Sequence, residues 1–240
     1  EAQRQAHSER MDSLLASVSA DTLKDWENRL ATLACDRELI SSKGYVHLTE
    51  FVQRIGREKP EIGKKLLETH RLHTIFPSLL RGLEDAGEFS FISRWARRHE
   101  RRYFEGIAEF YGMSPNAPLG EYERLTTIAV EQKSVLTLRH LLDALVFKRM
   151  ISSRAVNLAL NIVEALTELD DRHWSSSFAF PNYLENIHFT KKQSRRLFKS
   201  VLAAKKLDYH EKRILKHIGD GNPAFVVKLL IGRMRYEVES

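Results

Sequence analysis

The stretch Ile55-Gly56-Arg57-Glu58-Lys59-Pro60-Glu61-Ile62-Gly63-Lys64-Lys65-Leu66-Leu67 aligns without gaps with Ile218-Gly219-Asp220-Gly221-Asn222-Pro223-Ala224-Phe225-Val226-Val227-Lys228-Leu229-Leu230, and six of 13 positions are identical. Each copy follows an apolar pair, Phe51-Val52 in one and Ile214-Leu215 in the other. The shared unit therefore reads as a helix, a short turn ending in proline, and a second helix. Proline suits the first helical position because its missing N–H would have no partner there. The offset of 163 residues is close to four steps of about 41, inside the roughly 40–47 of HEAT-type repeats. Degenerate copies fall between, from Ile92 to Ile107 and from Leu125 to Leu142.

Outward from this motif, apolar residues recur at helical spacing and alternating strand patterns of useful length are absent. Leu23, Trp26, Leu30, Leu33 and Ala34 share one helix face, with Asp21 as the expected cap. The break at Ser41-Ser42-Lys43-Gly44 precedes a new helix through Val46, Leu48, Phe51, Val52 and Ile55. Further helices are expected over 73–85, 88–99, 101–112, 121–132, 134–149, 153–169, 191–206, 209–219 and 224–236. Ser134 and Ser153 read as N-caps, Thr190 with Gln193 as a capping box, and Asn222-Pro223 as cap plus first helical residue. One irregular stretch, His173 to Phe189, carries Trp174, Phe178, Phe180, Tyr183 and Phe189. The fold class expected is all-α, an α-solenoid of antiparallel helix hairpins of HEAT or TPR type, in which no hairpin buries its apolar face alone. Residues 1–44 are expected as a leading helical hairpin and 45–236 as the repeat array, with 173–189 as an irregular insertion.

Composition agrees. Eleven glycines and six prolines in 240 residues are too few for a fold that turns every 8–12 residues or so. With 42% hydrophobic and 29% charged residues the chain is neither disordered nor membrane-like. A single cysteine, Cys35, excludes an internal disulfide, and no Asn-x-Ser/Thr acceptor occurs, so a reducing, cytoplasmic setting is expected. Cys35 itself, following Ala34, is expected to be buried and inert. The first residue is Glu1 rather than Met, and the chain is read as a segment of a larger multidomain protein.

No phosphate-binding loop, dinucleotide fingerprint or zinc-protease motif is present. Gly219-Asp220-Gly221 follows a helix, not a strand, and reads as a helix stop. His70 and His73 share a face without a cysteine or carboxylate at ligand spacing, so no metal site is expected there. Asp170-Asp171 with His173 reads as a helix end running into a loop, since nothing supplies a nucleophile. No catalytic residue, cofactor site or enzyme activity is assigned to this segment.

Charge is more informative. Arg94, Arg97, Arg98, Arg101 and Arg102 form one stripe if the helix is continuous, opposite Ile92, Trp95, Ala96 and Tyr103. Lys191, Lys192, Arg195, Arg196 and Lys199 repeat the design, with Leu197, Phe198 and Val201 inward. Residues 1–120 carry 18 basic and 18 acidic residues, whereas 172–240 carry 14 and 6. Such stripes fit an acidic protein surface or nucleic-acid phosphates, and a solvated helix face is the competing reading. No aromatic is placed within either stripe to stack a base, which favours protein over nucleic acid. Trp174, Phe178 and Tyr183 would serve as aromatic anchors if the irregular stretch is exposed; packing onto the core is the alternative.

Several segments carry a resemblance. Leu207-Asp208-Tyr209-His210-Glu211-Lys212-Arg213-Ile214-Leu215-Lys216-His217-Ile218, with Pro223 and Leu230 to Arg235, resembles the end of the helical-repeat arms of bacterial STAND-type NTPases. So do Lys59-Pro60-Glu61-Ile62 with Leu66-Leu67, and Phe76-Pro77-Ser78-Leu79-Leu80-Arg81-Gly82-Leu83. The patterning is similar to the TPR/HEAT-like arms of the antiviral, AVAST-type members, over about residues 45–236. The resemblance implies a parent with an effector, an ATP- and Mg-binding NTPase module and this segment as sensor arm. It further implies recognition of a phage protein, terminase or portal, coupled to oligomerisation. No family contact residue maps onto a position of this sequence.

Overall fold

The computed structural model describes residues 2–40, 42, 44–179, 183–203 and 207–221, with 223, 224, 227 and 231 beyond them. Among these residues no strand occurs, and the fold is an all-α helical-repeat fold. The helices are α1 Ala2–Ser17, α2 Leu23–Ala34, α3 Arg37–Ile40, α4 Gly44–Glu58, α5 Pro60–Leu67, α6 Phe76–Asp85, α7 Phe89–Met113, α8 Leu119–Glu131, α9 Val135–Phe147, α10 Ser153–Glu168, α11 Trp174–Phe178, α12 Lys191–Leu202 and α13 Tyr209–Gly221. Two short 3-10 segments, His70–Ile75 and Leu184–Asn186, complete the elements. The chain forms two compact units, Glu1–Ser114 and Pro115–Ser240.

The first unit is organised around α4 and α6. Leu48, Phe51, Val52 and Ile55 on α4 meet Leu79, Leu80 and Leu83 on α6, all buried. Glycine brings the two backbones together: a Cβ on Gly82 would lie 1.9 Å from the Gln53 carbonyl oxygen, and one on Gly56 would lie 2.7 Å from that of Leu79. Pro60 opens α5 as expected, after Lys59 leaves the helical region. The Lys59 ammonium donates to the Leu15 carbonyl at 2.6 Å and to that of Val18, satisfying acceptors at the end of α1. The residues expected as a separate leading hairpin lie within this unit, α1 against α4 and α2 against the His70–Ile75 segment. Thr22, not Asp21, stands before α2. Cys35 is exposed, correcting the buried reading: it closes α2 at the C-cap, where the apolar face has run out.

The second unit is the more regular. α8, α10 and α12 pack in succession, and so do α9, α11 and α13, giving two layers of alternating helices. Helix starts in the first layer are 34 and 38 residues apart, both shorter than the expected step of about 41, the first equal to the ~34 of TPR-type repeats and the second between the two. α10 carries the core, burying Ala155, Val156, Leu158, Ala159, Leu160, Ile162, Val163, Ala165 and Leu166 against α8, α9 and α12. Burying each leucine is worth about 1.5–3 kcal/mol. The Ser134 cap and the Thr190–Gln193 capping box form as expected. The cap of α10 is Ser152, one residue before the expected Ser153, and its side chain accepts from the Ala155 N–H.

Within the irregular stretch, Trp174, Phe178, Tyr183, Leu184 and Ile187 are buried. Trp174 and Phe178 sit buried on α11, and Phe178 meets the Tyr183 ring edge-on at 5.6 Å and stacks on Phe189 at 6.1 Å. Burial drives the Tyr183 phenol well above its ordinary pKa. The one-turn α11 fills a helix position in the second layer, where Trp174 and Phe178 at its two ends supply bulk beside α9 and α13. Of the second copy of the opening motif, Ile218 is buried on α13 as Ile55 is on α4. Asn222, Phe225, Val226, Lys228, Leu229 and Leu230 lie outside the described residues, as does most of the helix expected over 224–236.

Candidate functional site

Unit 1 presents the arginine face of α7. The separate helices expected over 88–99 and 101–112 are one element, interrupted only at Tyr103, whose φ of −126° and ψ of 27° leave the helical region. Arg94, Arg97, Arg98, Arg101 and Arg102 precede that break, so the stripe is continuous, and all five are exposed. The Arg94 guanidinium donates from Nε to the Ser90 carbonyl at 3.2 Å.

Beside this stripe lies a cavity of about 440 Å³ lined by Glu68, Phe91, Arg94, Trp95, Arg98 and His99. Its apolar wall belongs to an aromatic cluster. Trp95 meets Phe76 edge-on at 5.3 Å, His99 at 5.0 Å and Tyr103 in a parallel stack at 6.1 Å. Arg102 lies over the Tyr103 ring at 5.3 Å, within cation–π range. The buried Trp95 Nε1 has no hydrogen-bond partner among the described residues. Trp95 and Tyr103 were expected opposite the arginines. They border them instead, because neighbours in sequence are only about 100° apart around a helix. Glu68 and Phe91 enter from α5's end and the start of α7, a convergence that no single helix pattern encodes.

The second basic stripe divides. Lys191, Lys192, Arg195 and Lys199 are exposed on α12. Arg196 is structural: Nε donates to Glu164 at 2.8 Å and Nη2 to Glu164 and Asn161, both at 2.6 Å, tying α12 to α10. These bonds to the Glu164 carboxylate raise the Arg196 pKa above its ordinary value. The aromatic anchors are corrected outright, since Trp174 is 2% and Tyr183 1% exposed; their rings belong to the core of unit 2.

Asp171 and His173 stand at a helix junction. Asp171 pairs with Arg139 and its Oδ1 accepts from the His173 backbone N–H at 3.1 Å. His73 falls in the His70–Ile75 segment, and the His70 side chain lies outside those described. No helix among the described residues is long and apolar enough to cross a membrane. No family model matches the chain, and no curated protein or solved structure matches it either.

Proposed function

We propose that this chain is a protein-binding helical-repeat segment whose α7 face receives an acidic surface of a folded partner. The observation that carries the reading is the cavity that Arg94 and Arg98 line together with Phe91 and Trp95, on the same helix face as three further exposed arginines. The Arg94 and Arg98 guanidinium groups outnumber the one carboxylate of the lining, Glu68, so the ligand the face suits is an acceptor such as an Asp or Glu side chain. Arg97, Arg101 and Arg102 extend the same sign along the helix and would speed encounter with a negative surface. Helical repeats serve this purpose by spreading contact over many helix ends and faces rather than one deep pocket.

The resemblance to STAND-type arms gives this reading its setting: a sensor arm of an anti-phage defence ATPase, recognising a phage terminase or portal protein and coupling recognition to oligomerisation. The ATP site and effector would lie elsewhere in such a parent. The test is binding of purified terminase and portal proteins to the chain and to a variant with Arg94, Arg97, Arg98, Arg101 and Arg102 changed to Glu. Binding that weakens at least tenfold in the variant supports the reading; binding of equal strength removes the α7 face from the interface. Duplex DNA in a parallel titration decides against a protein partner if affinity falls with salt by a slope of several units in log–log form and neither phage protein binds.

A further inference from the structure

In the first turns of α1, His7 turns toward α4. Among the described side chains of residues 5–10, His7 alone is not fully exposed. It faces α4, where His47 and Glu50 stand three residues apart on one side of the helix. The two imidazole rings are 4.5 Å apart at a 50° tilt. His7 Nε2 lies 3.7 Å from Glu50 Oε2, and His47 Nδ1 lies 4.0 Å from the same oxygen.

These distances are too long for hydrogen bonds. Accordingly His7 Nε2, itself a buried atom, makes no hydrogen bond among the described residues. No arginine or lysine pairs with Glu50 among them. All three donor atoms lie within 4.8 Å of one another. A tetrahedral ion with bonds of about 2.0–2.1 Å holds its ligands about 3.3 Å apart, so side-chain rotations of up to about 1.5 Å close the set. We propose that His7, His47 and Glu50 bind one divalent transition-metal ion of the Zn²⁺ class, clamping the first half of α1 onto α4.

The donor set selects the ion. Two imidazoles and one carboxylate suit zinc and its neighbours, whereas Ca²⁺ and Mg²⁺ require about six oxygens. The side chains are 41%, 58% and 52% exposed, so the ion has a path of entry and water completes its shell. Downstream, α1 is already anchored by buried Met11 and Leu15 and by Asp12 to Arg54 at 2.6 Å. The ion would add the missing upstream attachment. His47, Met11 and Leu14 also line an apolar cavity of about 580 Å³ between α1, α2 and α4, so metal binding fixes one of its walls.

The experiment uses the whole 240-residue chain freed of metal by chelator, titrated with Zn²⁺ against a chromophoric competitor and with Co²⁺ followed by visible absorption. One equivalent is expected to bind, with the intense Co²⁺ bands of a four-coordinate site. His47→Gln and Glu50→Gln each lower affinity tenfold or more, while His140→Gln changes nothing. Hydrogen exchange in residues 2–10 slows on adding Zn²⁺ and recovers with chelator. Failure of the unaltered chain to take up one equivalent overturns the site, as does equal affinity in the ligand variants. Uptake without slowed exchange in α1 overturns the clamp. Should a variant unfold, the unaltered chain decides alone: one equivalent of Zn²⁺ taken up with slowed exchange in residues 2–10 supports the clamp, and absence of either overturns it.

Discussion

The two units end their helices by the same device with different residues. In unit 1 the junction after α6 places Gly87 at φ +81°, and the Glu88 N–H reaches back to the Leu83 carbonyl at 2.9 Å. In unit 2 the same turn occurs after α8, α9 and α10, at Lys133, Arg149 and Asp170, with φ of 52°, 50° and 55°. Each is followed by the matching bond, Ser134 to Ala129, Met150 to Leu145 and Asp171 to Leu166. Unit 1 thus spends glycine where it is needed sterically, at the turn and at the α4–α6 crossing. Unit 2 forces ordinary residues into the left-handed region at three successive joints, because tightly interlocked layers on either side dictate the chain path. A repeat can be conserved in geometry while its punctuation disappears from the sequence.

The sharpest way to break this contrast is to add one methyl group to unit 1. Gly82→Ala drives a Cβ into the Gln53 carbonyl, a backbone atom that cannot rotate away. The expected cost is about 3 kcal/mol or more. Unit 1 should lose its protection in residue-resolved hydrogen exchange while Trp174 stays buried in unit 2. Removing one methyl from the centre of unit 2 is milder. Ile162→Val is expected to cost about 1 kcal/mol by denaturant unfolding, since the wide contact surface of α10 stays in place. A loss equal to that of Gly82→Ala would dissolve the distinction between the units.

Arg149→Gly sharpens the comparison from the other side. Relief of the left-handed strain should raise the stability of unit 2 by about 1 kcal/mol, and Gly87→Ala should lower that of unit 1 by a similar amount. A fourth expectation concerns charge at the start of α13. Asp208 Oδ1 accepts from the Glu211 N–H at 3.1 Å, and Glu211 Oε2 accepts from the Asp208 N–H at 2.7 Å, a reciprocal cap. Burial pushes the Glu211 carboxyl above its ordinary 4.5. Burial acts upward on Asp208 too, but the hydrogen bonds it receives around Glu211 and His210 outweigh it and hold its pKa below the ordinary 3.8. The folded state therefore keeps the Glu211 proton longer than the unfolded state does. The stability this contributes is whole below pH 4.5 and declines as pH rises through the raised value. Asp208 acts oppositely, losing its contribution as pH falls below 3.8. Glu211→Gln, which keeps the acceptor and removes the charge, should flatten the alkaline decline in pH-dependent unfolding; an unchanged slope would mean another group causes it.

Much of the fold was legible because helix patterning is local. Leu48, Phe51, Val52 and Ile55 declare a buried face within about two turns of chain, Pro60 marks a helix start by its missing N–H, and Ser134 and Thr190–Gln193 mark theirs by groups that bond within three residues. The arginine face of α7 was legible for the same reason. What failed to show were features made by residues far apart: the cavity that brings Glu68 to Arg94, the pairing that turns Arg196 from a contact residue into a strut, and the approach of His7 to His47 across 40 positions. Trp174 and Tyr183 illustrate the limit most plainly, since an aromatic-rich stretch reads alike whether exposed or buried until its neighbours are known.

The sequence by itself determined the class of fold, the positions of most helix starts and the existence of two basic helix faces, because all three follow from side-chain spacing along a 3.6-residue period. The tertiary structure alone decided which basic residues remain on the surface, where the units divide, and which histidines stand beside which carboxylate. Those depend on how helices distant in sequence pack, and packing is governed by shape and close approach, down to the one missing Cβ at Gly82, rather than by any pattern along the chain.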